Sequence, residues 1–436
     1  MRDDAGGPPP PRTPPSYAGQ DLARATLPPR RSPSPALLLT LALLLATGLS
    51  QFHRTALGVV GPELAADLGA GPGLLGAANG VFFLALLILQ VPVGLALDRL
   101  GPRRTVACLT VPAVLGALGQ ALAPDAGWFM AARFLLGAGM AASFMATVVL
   151  CSRWWSGPGL TTALSRVFAL SQAGILLAGA PFAATAEWLG WRGAYALAAV
   201  LTALCALLWW RWVADDPPDR PAPALRRETL AQALRGQVTV WRTPGLLPVL
   251  SMHLVGYAVM TTVLAVWAGP YLADRYGLSP EARGAAILGM GLLLSLGLLA
   301  VGPVERRLNT RKWLVVALAA AVVLVLAVLA LWPRPPLAAG VGLLATVCVL
   351  SCYPVVVVAH GRSLFPDHLV GRGATTVNLA QTLGCAALPA ITGWVVAAAP
   401  PALAWPLAFG TMAVALALGL CGYLASRDTP PLPGRD

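Results

Sequence analysis

Five ionisable side chains interrupt the apolar runs of this chain: His53, Arg54, Arg133, His253 and His360. A charge inside hydrocarbon is costly, so an ionisable residue there marks a candidate site. Every Asp and Glu lies in a loop, in a tail or at the end of an apolar run. The two arginines therefore lack an acidic partner within those runs. A guanidinium fork in that position suits a carboxylate or phosphate, which it can hold bidentately. Arg54 follows Thr47, Ser50 and Gln51 at offsets of seven, four and three, all on one helical face. The blander alternatives are that Arg54 snorkels to the headgroups and that Arg133 bonds backbone carbonyls. Weaker polar stripes combine Asn79, Phe83, Leu86 and Gln90; His253, Tyr257 and Thr261; Tyr353 and His360; and Asn378, Gln381, Thr382 and Cys385. Such residues line a pathway or join helices by hydrogen bonds.

The elements that must position them are membrane helices. Of 436 residues, 57% are hydrophobic and 11% charged, with a mean hydropathy of +0.72. A soluble chain of this length needs far more surface charge. About twelve apolar runs are long enough to span a bilayer, starting near residues 36, 74, 105, 128, 167, 193, 245, 284, 313, 337, 375 and 405. The fold expected is all-α, with twelve transmembrane helices.

The net charge of +12 follows the same topology. With the N-terminus inside, one face collects the arginines of residues 1–31, then Arg99, Arg103, Arg104, Arg153 and Arg166, and the basic group between 211 and 242. It also takes Arg306, Arg307, Arg311, Lys312, Arg362, Arg372, Arg427 and Arg435; the other face keeps Arg192, Arg275, Arg283 and Arg334. The positive-inside rule then puts both termini in the cytoplasm, and no nucleic-acid partner is expected. Residues 1–35 are rich in Pro and Arg without an apolar core, so a disordered tail is expected rather than a signal peptide.

The seven cysteines show no CxxC spacing, so neither disulfide nor metal site is expected. There is no Walker loop and no HExxH. The largest loop, roughly thirty residues, is below the minimum of about fifty for a nucleotide-binding domain. No enzyme and no cofactor is expected.

The polar stretch 214–244 divides the chain into a first half, 36–213, and a second, 245–426, followed by a short tail, 427–436. The halves repeat. Gly61, Pro62, Gly69, Pro72, Gly76, Gly94, Arg99, Arg103 and Arg104 recur as Gly269, Pro270, Gly277, Pro280, Gly284, Gly302, Arg307, Arg311 and Lys312, at a constant offset of 208. A gapless repeat of this length indicates parallel six-helix halves related by an axis along the membrane normal.

Between the second and third runs lies a short charged hairpin, residues 94–104, with Gly94, Asp98, Arg99, Gly101, Arg103 and Arg104. This pattern resembles the loop signature of the major facilitator superfamily. Arg133-Phe134-Leu135-Leu136-Gly137, Ser152-Arg153-Trp154-Trp155 and Gly190-Trp191-Arg192 resemble further elements of that family, in the same order. The resemblance covers residues 36–426 and implies a secondary transporter. It further implies that spans 1, 4, 7 and 10 line a central cavity, so that Arg54 and Arg133 face each other across it. It makes the hairpin a gate latch, with Asp98 meeting the N-terminus of span 11.

The segment 52–69 resembles the organic anion:cation symporter branch, in which an arginine of span 1 binds the substrate anion. That branch has Asp where this chain has His53, and often an acid where it has Met140. Both departures remove acids used for proton coupling. His53, whose imidazole titrates near about 6.5 when unperturbed, is then the proton-site candidate; alternatively it hydrogen-bonds a neighbouring helix. Gly174 to Pro181 resembles a drug-antiporter motif, but its Gly-Pro pair is missing, and helix packing is the expected role.

The expected substrate site comprises Arg54, Arg133, His53, Gln51, Asn79, Tyr257, Asn378 and Gln381. The expected function is secondary transport of a small organic anion, ion-coupled to H+ or Na+, by a monomer in the inner or plasma membrane. The alternatives are efflux of apolar compounds and a receptor or assembly factor that does not transport.

Overall fold

The computed structural model describes residues 34–71, 73–155, 158–218, 240–365 and 370–431. The expected N-terminal tail lies outside these residues up to position 33, as do positions 219–239 of the central loop and 432–436 of the C-terminal tail. Among the described residues there is no strand, and Pro35–Asp436 forms one compact unit.

Eleven helical segments are long and apolar enough to cross a membrane. One of them, Thr162–Trp212, has 51 residues, which at a helical rise would measure about 76 Å, more than twice the hydrocarbon thickness. It is divided at Gly190, whose φ of 70° and ψ of 166° leave the helical region. Counted as two crossings, 162–189 and 191–212, it brings the total to twelve. Span 1 is Pro35–Asp67, span 2 Gly73–Leu100, span 3 Pro102–Ala121, span 4 Ala126–Trp154, and spans 5 and 6 are the divided pair. Span 7 is Leu246–Tyr276, span 8 Pro280–Leu308, span 9 Lys312–Leu331, span 10 Leu337–Ser363, span 11 Val370–Ala398 and span 12 Ala404–Leu424.

Four of these helices are broken midway, span 5 at Gln172 and again at Gly179. Span 4 loosens between Met140 and Ser143. Span 10 breaks between Leu350 and Pro354, where proline has no N–H to continue the ladder. Span 7 widens into a π-helical turn over Val263–Trp267. Such irregular turns leave backbone groups that neighbouring helices must satisfy within a membrane.

The repeat read from the sequence reappears as backbone geometry. Gly69 and Gly277, 208 positions apart, both turn in the left-handed region, with φ of 61° and 63°. Gly101 has φ 81°, and its counterpart Asn309, at 47°, is the sole positive-φ residue other than glycine among the described residues. Asn tolerates that conformation better than other side chains. At the N-terminus of span 3, the Arg103 N–H donates to Asp215 Oδ1 at 2.7 Å. At the N-terminus of span 9, Arg311 and Lys312 N–H donate to Asp428 Oδ1 at 3.1 and 2.9 Å. Each carboxylate arrives from just beyond the last span of its half and satisfies orphan donors of a helix start. Burial pushes the Asp428 carboxyl up, but hydrogen bonds from Thr310 and from the Lys312, Arg311 and Thr429 N–H groups outweigh it. The net result is a carboxyl below its ordinary value of 3.8.

The two halves meet tightly at the face opposite the Gly94–Arg104 hairpin, here called the far face. A Cβ on Gly58 of span 1 would stand 2.6 Å from the Ala265 carbonyl oxygen in the π turn of span 7. Gly76 of span 2 presses still more closely on the Pro389 carbonyl of span 11. Gly284 of span 8 meets the Gly179 carbonyl of span 5, which gives the small residues of 174–181 their packing role. Exposed tryptophans ring both ends of the bundle, with Trp128, Trp188 and Trp394 towards the far face and Trp210, Trp241 and Trp313 towards the hairpin face. Amphipathic rings gather where a bilayer meets water.

Candidate functional site

Span 1 runs from Pro35 to Asp67 with its midpoint at Gln51, so Arg54 lies about 4.5 Å beyond the middle of the helix. Its guanidinium sits 5.1 Å from the centroid of the Phe83 ring on span 2. Among the described residues Arg54 forms no ion pair, and its Nε is buried without a hydrogen-bond partner. Cys385 of span 11 is within its electrostatic reach, and Thr261 of span 7 lies beside that cysteine. Arg54 thus stands where spans 1, 2, 7 and 11 converge, a cation facing neutral groups.

The second half carries polar groups without charge. Tyr257, Asn378 and Gln381 are each partly exposed. Gln381 approaches the His253 ring, although neither ring nitrogen reaches hydrogen-bond geometry. Asn79 of span 2 is fully buried, and both its amide atoms lack partners. An unsatisfied buried amide is unusual and calls for an explanation such as a ligand or water.

Of the two readings of Arg133, the structure shows the one in which it bonds backbone carbonyls. It is fully buried, its Nη1 donates to the His53 carbonyl at 2.8 Å, and its Nε contacts the Ala78 carbonyl at 3.5 Å. Its guanidinium lies over Phe82 at 4.9 Å. It lines no open cavity across from Arg54 in this conformation. The physical reason is the close approach of spans 1, 2 and 4, since Gly137 abuts the Phe82 carbonyl and leaves Arg133 directed at backbone oxygens. Those two carbonyls belong to the residues immediately before Arg54 and Asn79.

His53 also points away from the centre. It is fully buried, and its Nε2 lies 3.0 Å from Thr202 Oγ1 of span 6. Gln51 donates through Nε2 to Gln172 Oε1 of span 5 at 3.0 Å. The polar stripe of span 1 is therefore shared out among neighbours, Gln51 with span 5, His53 with span 6 and Arg54 over Phe83 of span 2. His360 pairs with the Tyr423 hydroxyl of span 12 at 2.7 Å, an interhelical contact. Gln172, Thr202 and Tyr423 were not singled out from the sequence, since a lone polar residue in an apolar run carries no spacing signal.

At the hairpin, Arg103 Nη2 donates to the Trp210 carbonyl at 3.0 Å and its guanidinium covers the Trp210 ring at 4.9 Å. Gly94 packs near Met145, while Asp98, Arg99 and Arg104 are exposed. The expected meeting of Asp98 with the start of span 11 falls on side chains outside the described residues. In the second half Glu305 takes the Arg311 side chain, Nε to Oε1 at 2.8 Å.

Two parallel six-helix halves joined at one face, with the charged hairpin after span 2, correspond to one family model. Residues 43–387 match that of the Major Facilitator Superfamily. The chain belongs to this superfamily. Its membrane-length helices and its membership make it a multi-pass membrane protein of that superfamily. A bacterial homologue of the human lysosomal transporter Spinster, solved inward-facing and unoccupied, superposes with a TM-score of 0.72 at 16% identity, over 90% of this chain and 96% of that one. A D-xylose–proton symporter gives 0.69 at 18% identity, over 90% and 97%. These likenesses establish the fold. By sequence, the chain is 29% identical over 178 residues to a quinolone resistance transporter of Acinetobacter baumannii, covering 38% of this chain and 41% of that one. It is 25% identical over 268 residues to a hexuronate transporter of Bacillus subtilis, covering 60% and 62%. The superfamily member thus spans less than two thirds of the length of either relative.

Proposed function

We propose that this protein is a secondary carrier of a small organic anion, bound at Arg54. The observation that carries the reading is a near-central guanidinium without a carboxylate among the described residues. Arg54 is partly exposed with its Nε buried; a charge held unpaired within a membrane span is unfavourable, and a substrate carboxylate would supply the missing counter-ion. Asn79, Tyr257, Asn378 and Gln381 would then bond the hydroxyl or carbonyl groups of the substrate. The B. subtilis relative is named for hexuronate, a sugar acid carrying one carboxylate, which fits that division of labour.

The basic residues of the hairpin face support assigning it to the cytoplasm, with both termini there and the chain acting as a monomer in the inner or plasma membrane. The interlocked far face then corresponds to an inward-facing conformation, and transport proceeds by rocking of the halves. Arg133 is assigned to hold spans 1 and 2 in register. Coupling to H+ or Na+ is retained, with His53 acting on span 6 through Thr202. A second reading, efflux of apolar compounds, is favoured by the A. baumannii relative and opposed by the cationic centre, which repels cationic drugs.

The test is a thermal-shift screen of the purified protein against carboxylates, phosphates, neutral sugars and cationic drugs. Carboxylates should raise the melting temperature of the wild type and leave Arg54→Ala unmoved. Shifts from cations alone, or full carboxylate binding by Arg54→Ala, would overturn the assignment.

A further inference from the structure

At the far face one ion pair joins the two halves. Arg283, in the first turn of span 8, donates through Nη2 to Glu63 Oε1 in the last turn of span 1. The Arg283 side chain is 1% exposed and that of Glu63 40%. The pair is single-pronged, because Arg283 Nε and Glu63 Oε2 are both buried without a hydrogen-bond partner. A guanidinium and a carboxylate ordinarily meet through two parallel bonds. Here half of the fork is unused.

The neighbourhood shows what holds the pair shut. Gly284, next in sequence to Arg283, is pressed on span 5, and Gly58, five residues before Glu63, is pressed on span 7. Another acid near the end of span 1, Asp67, is engaged by Arg192 and by Trp191 within the first half. Glu63 is thus the acid that crosses between halves here, and separating them at this face must pull it from Arg283. The guanidinium would then face the opened vestibule with no counter-ion. Arg275, at the end of span 7, has Nε and Nη2 unpartnered and adds positive charge to the same rim.

We infer that Arg283 is the entry site for the anionic substrate from the far face, and that Glu63 is its internal occupant while that face is closed. This rests on the anion reading proposed above. A carboxylate arriving from outside takes both prongs that Glu63 fills only in part, and so favours the opened state by differential binding. Arg54 lies nine residues further along span 1 from Glu63, about 13 Å along the helix. The anion therefore has a second guanidinium within one helix length of the first.

The experiment uses the full chain in proteoliposomes oriented with the hairpin face inward, and measures uptake of labelled D-glucuronate, pyruvate and benzoate. Glu63→Gln, close in shape to the native side chain, should lower KM severalfold because Arg283 is no longer occupied by a charge. Arg283→Gln should raise KM about tenfold, and the double variant should follow Arg283→Gln. A simple latch would move both single variants in the same direction, and that outcome overturns the entry site while the anion reading stands. An unchanged or raised KM in Glu63→Gln overturns it too, whether or not Arg283→Gln folds. If the wild type takes up none of the three anions, the anion reading fails and this inference fails with it.

Discussion

Asp215 caps the start of span 3 at Arg103, and Asp428 caps the start of span 9 at Arg311 and Lys312, 208 positions further on. At the same offset Arg54 corresponds to Thr262 and His53 to Thr261. The two halves therefore agree at the ends of their helices and diverge in the middle. The ends obey requirements common to any helix in a bilayer: satisfied donors, reversed chain direction, basic residues on one side. The centre is free of those requirements and carries what differs between ligands. All the charge there comes from the first half, and the second offers amides, a phenol and an imidazole.

That contrast is most directly broken at Arg54. Replacing it with Ala should weaken carboxylate binding about 100-fold, roughly 3 kcal/mol for losing one partner of a desolvated charge pair. Titration calorimetry checks this, and the corresponding change at Thr262→Val should be small. If the two halves contributed equally, the two losses would be similar.

Arg133→Ala should reduce stability by about 2 kcal/mol, since two buried carbonyls lose their donor. Arg133→Lys should recover part of it. A denaturation series in detergent separates this from ligand binding. A variant that melts normally but fails to bind would return Arg133 to the substrate site.

Gly58→Val places methyl groups against the Ala265 carbonyl, and such overpacking costs about 1–3 kcal/mol. The sealed far face bears that cost, so uptake should fall more than melting temperature. A fall in melting temperature alone would mean the contact is static packing.

The smallest effects belong to the caps. Asp215→Ala and Asp428→Ala should each lower stability by about 1 kcal/mol. Because the folded Asp428 carboxyl lies below its ordinary value of 3.8, its contribution is present above that pH. It is lost as pH falls through the lower folded value. The melting difference between wild type and Asp428→Ala should therefore hold at pH 6 and shrink below about pH 4.

Much of the framework was legible in the chain. The span starts, the internal repeat and the charged hairpin depend on hydropathy, glycine and charge at fixed spacing, all of which are local. Arg54 was legible too, because a charge inside an apolar run is conspicuous wherever the helix turns. Its neighbours were harder to read. Gln51, His53 and Arg54 lie within four positions, yet they meet span 5, span 6 and span 2 in turn. A helical wheel places them on adjacent faces but does not say which helix occupies each. The Glu63–Arg283 pair, 220 residues apart in sequence, had no spacing signal at all.

Sequence by itself determined that the chain crosses a membrane many times, that it is built of two related halves, and that its acids lie outside the membrane interior. Those properties follow from the transfer energy of each side chain and the period of each helix, and they do not depend on what the helix touches. Tertiary structure decided which polar groups are spent on packing and which stay unmatched. It directed Arg133 to backbone oxygens, gave Asp67 to Arg192, and left Arg54 without a carboxylate among the described residues. Partner choice depends on how closely two backbones approach, and glycines such as Gly58, Gly76 and Gly137 set that distance only once the opposing helix is in place.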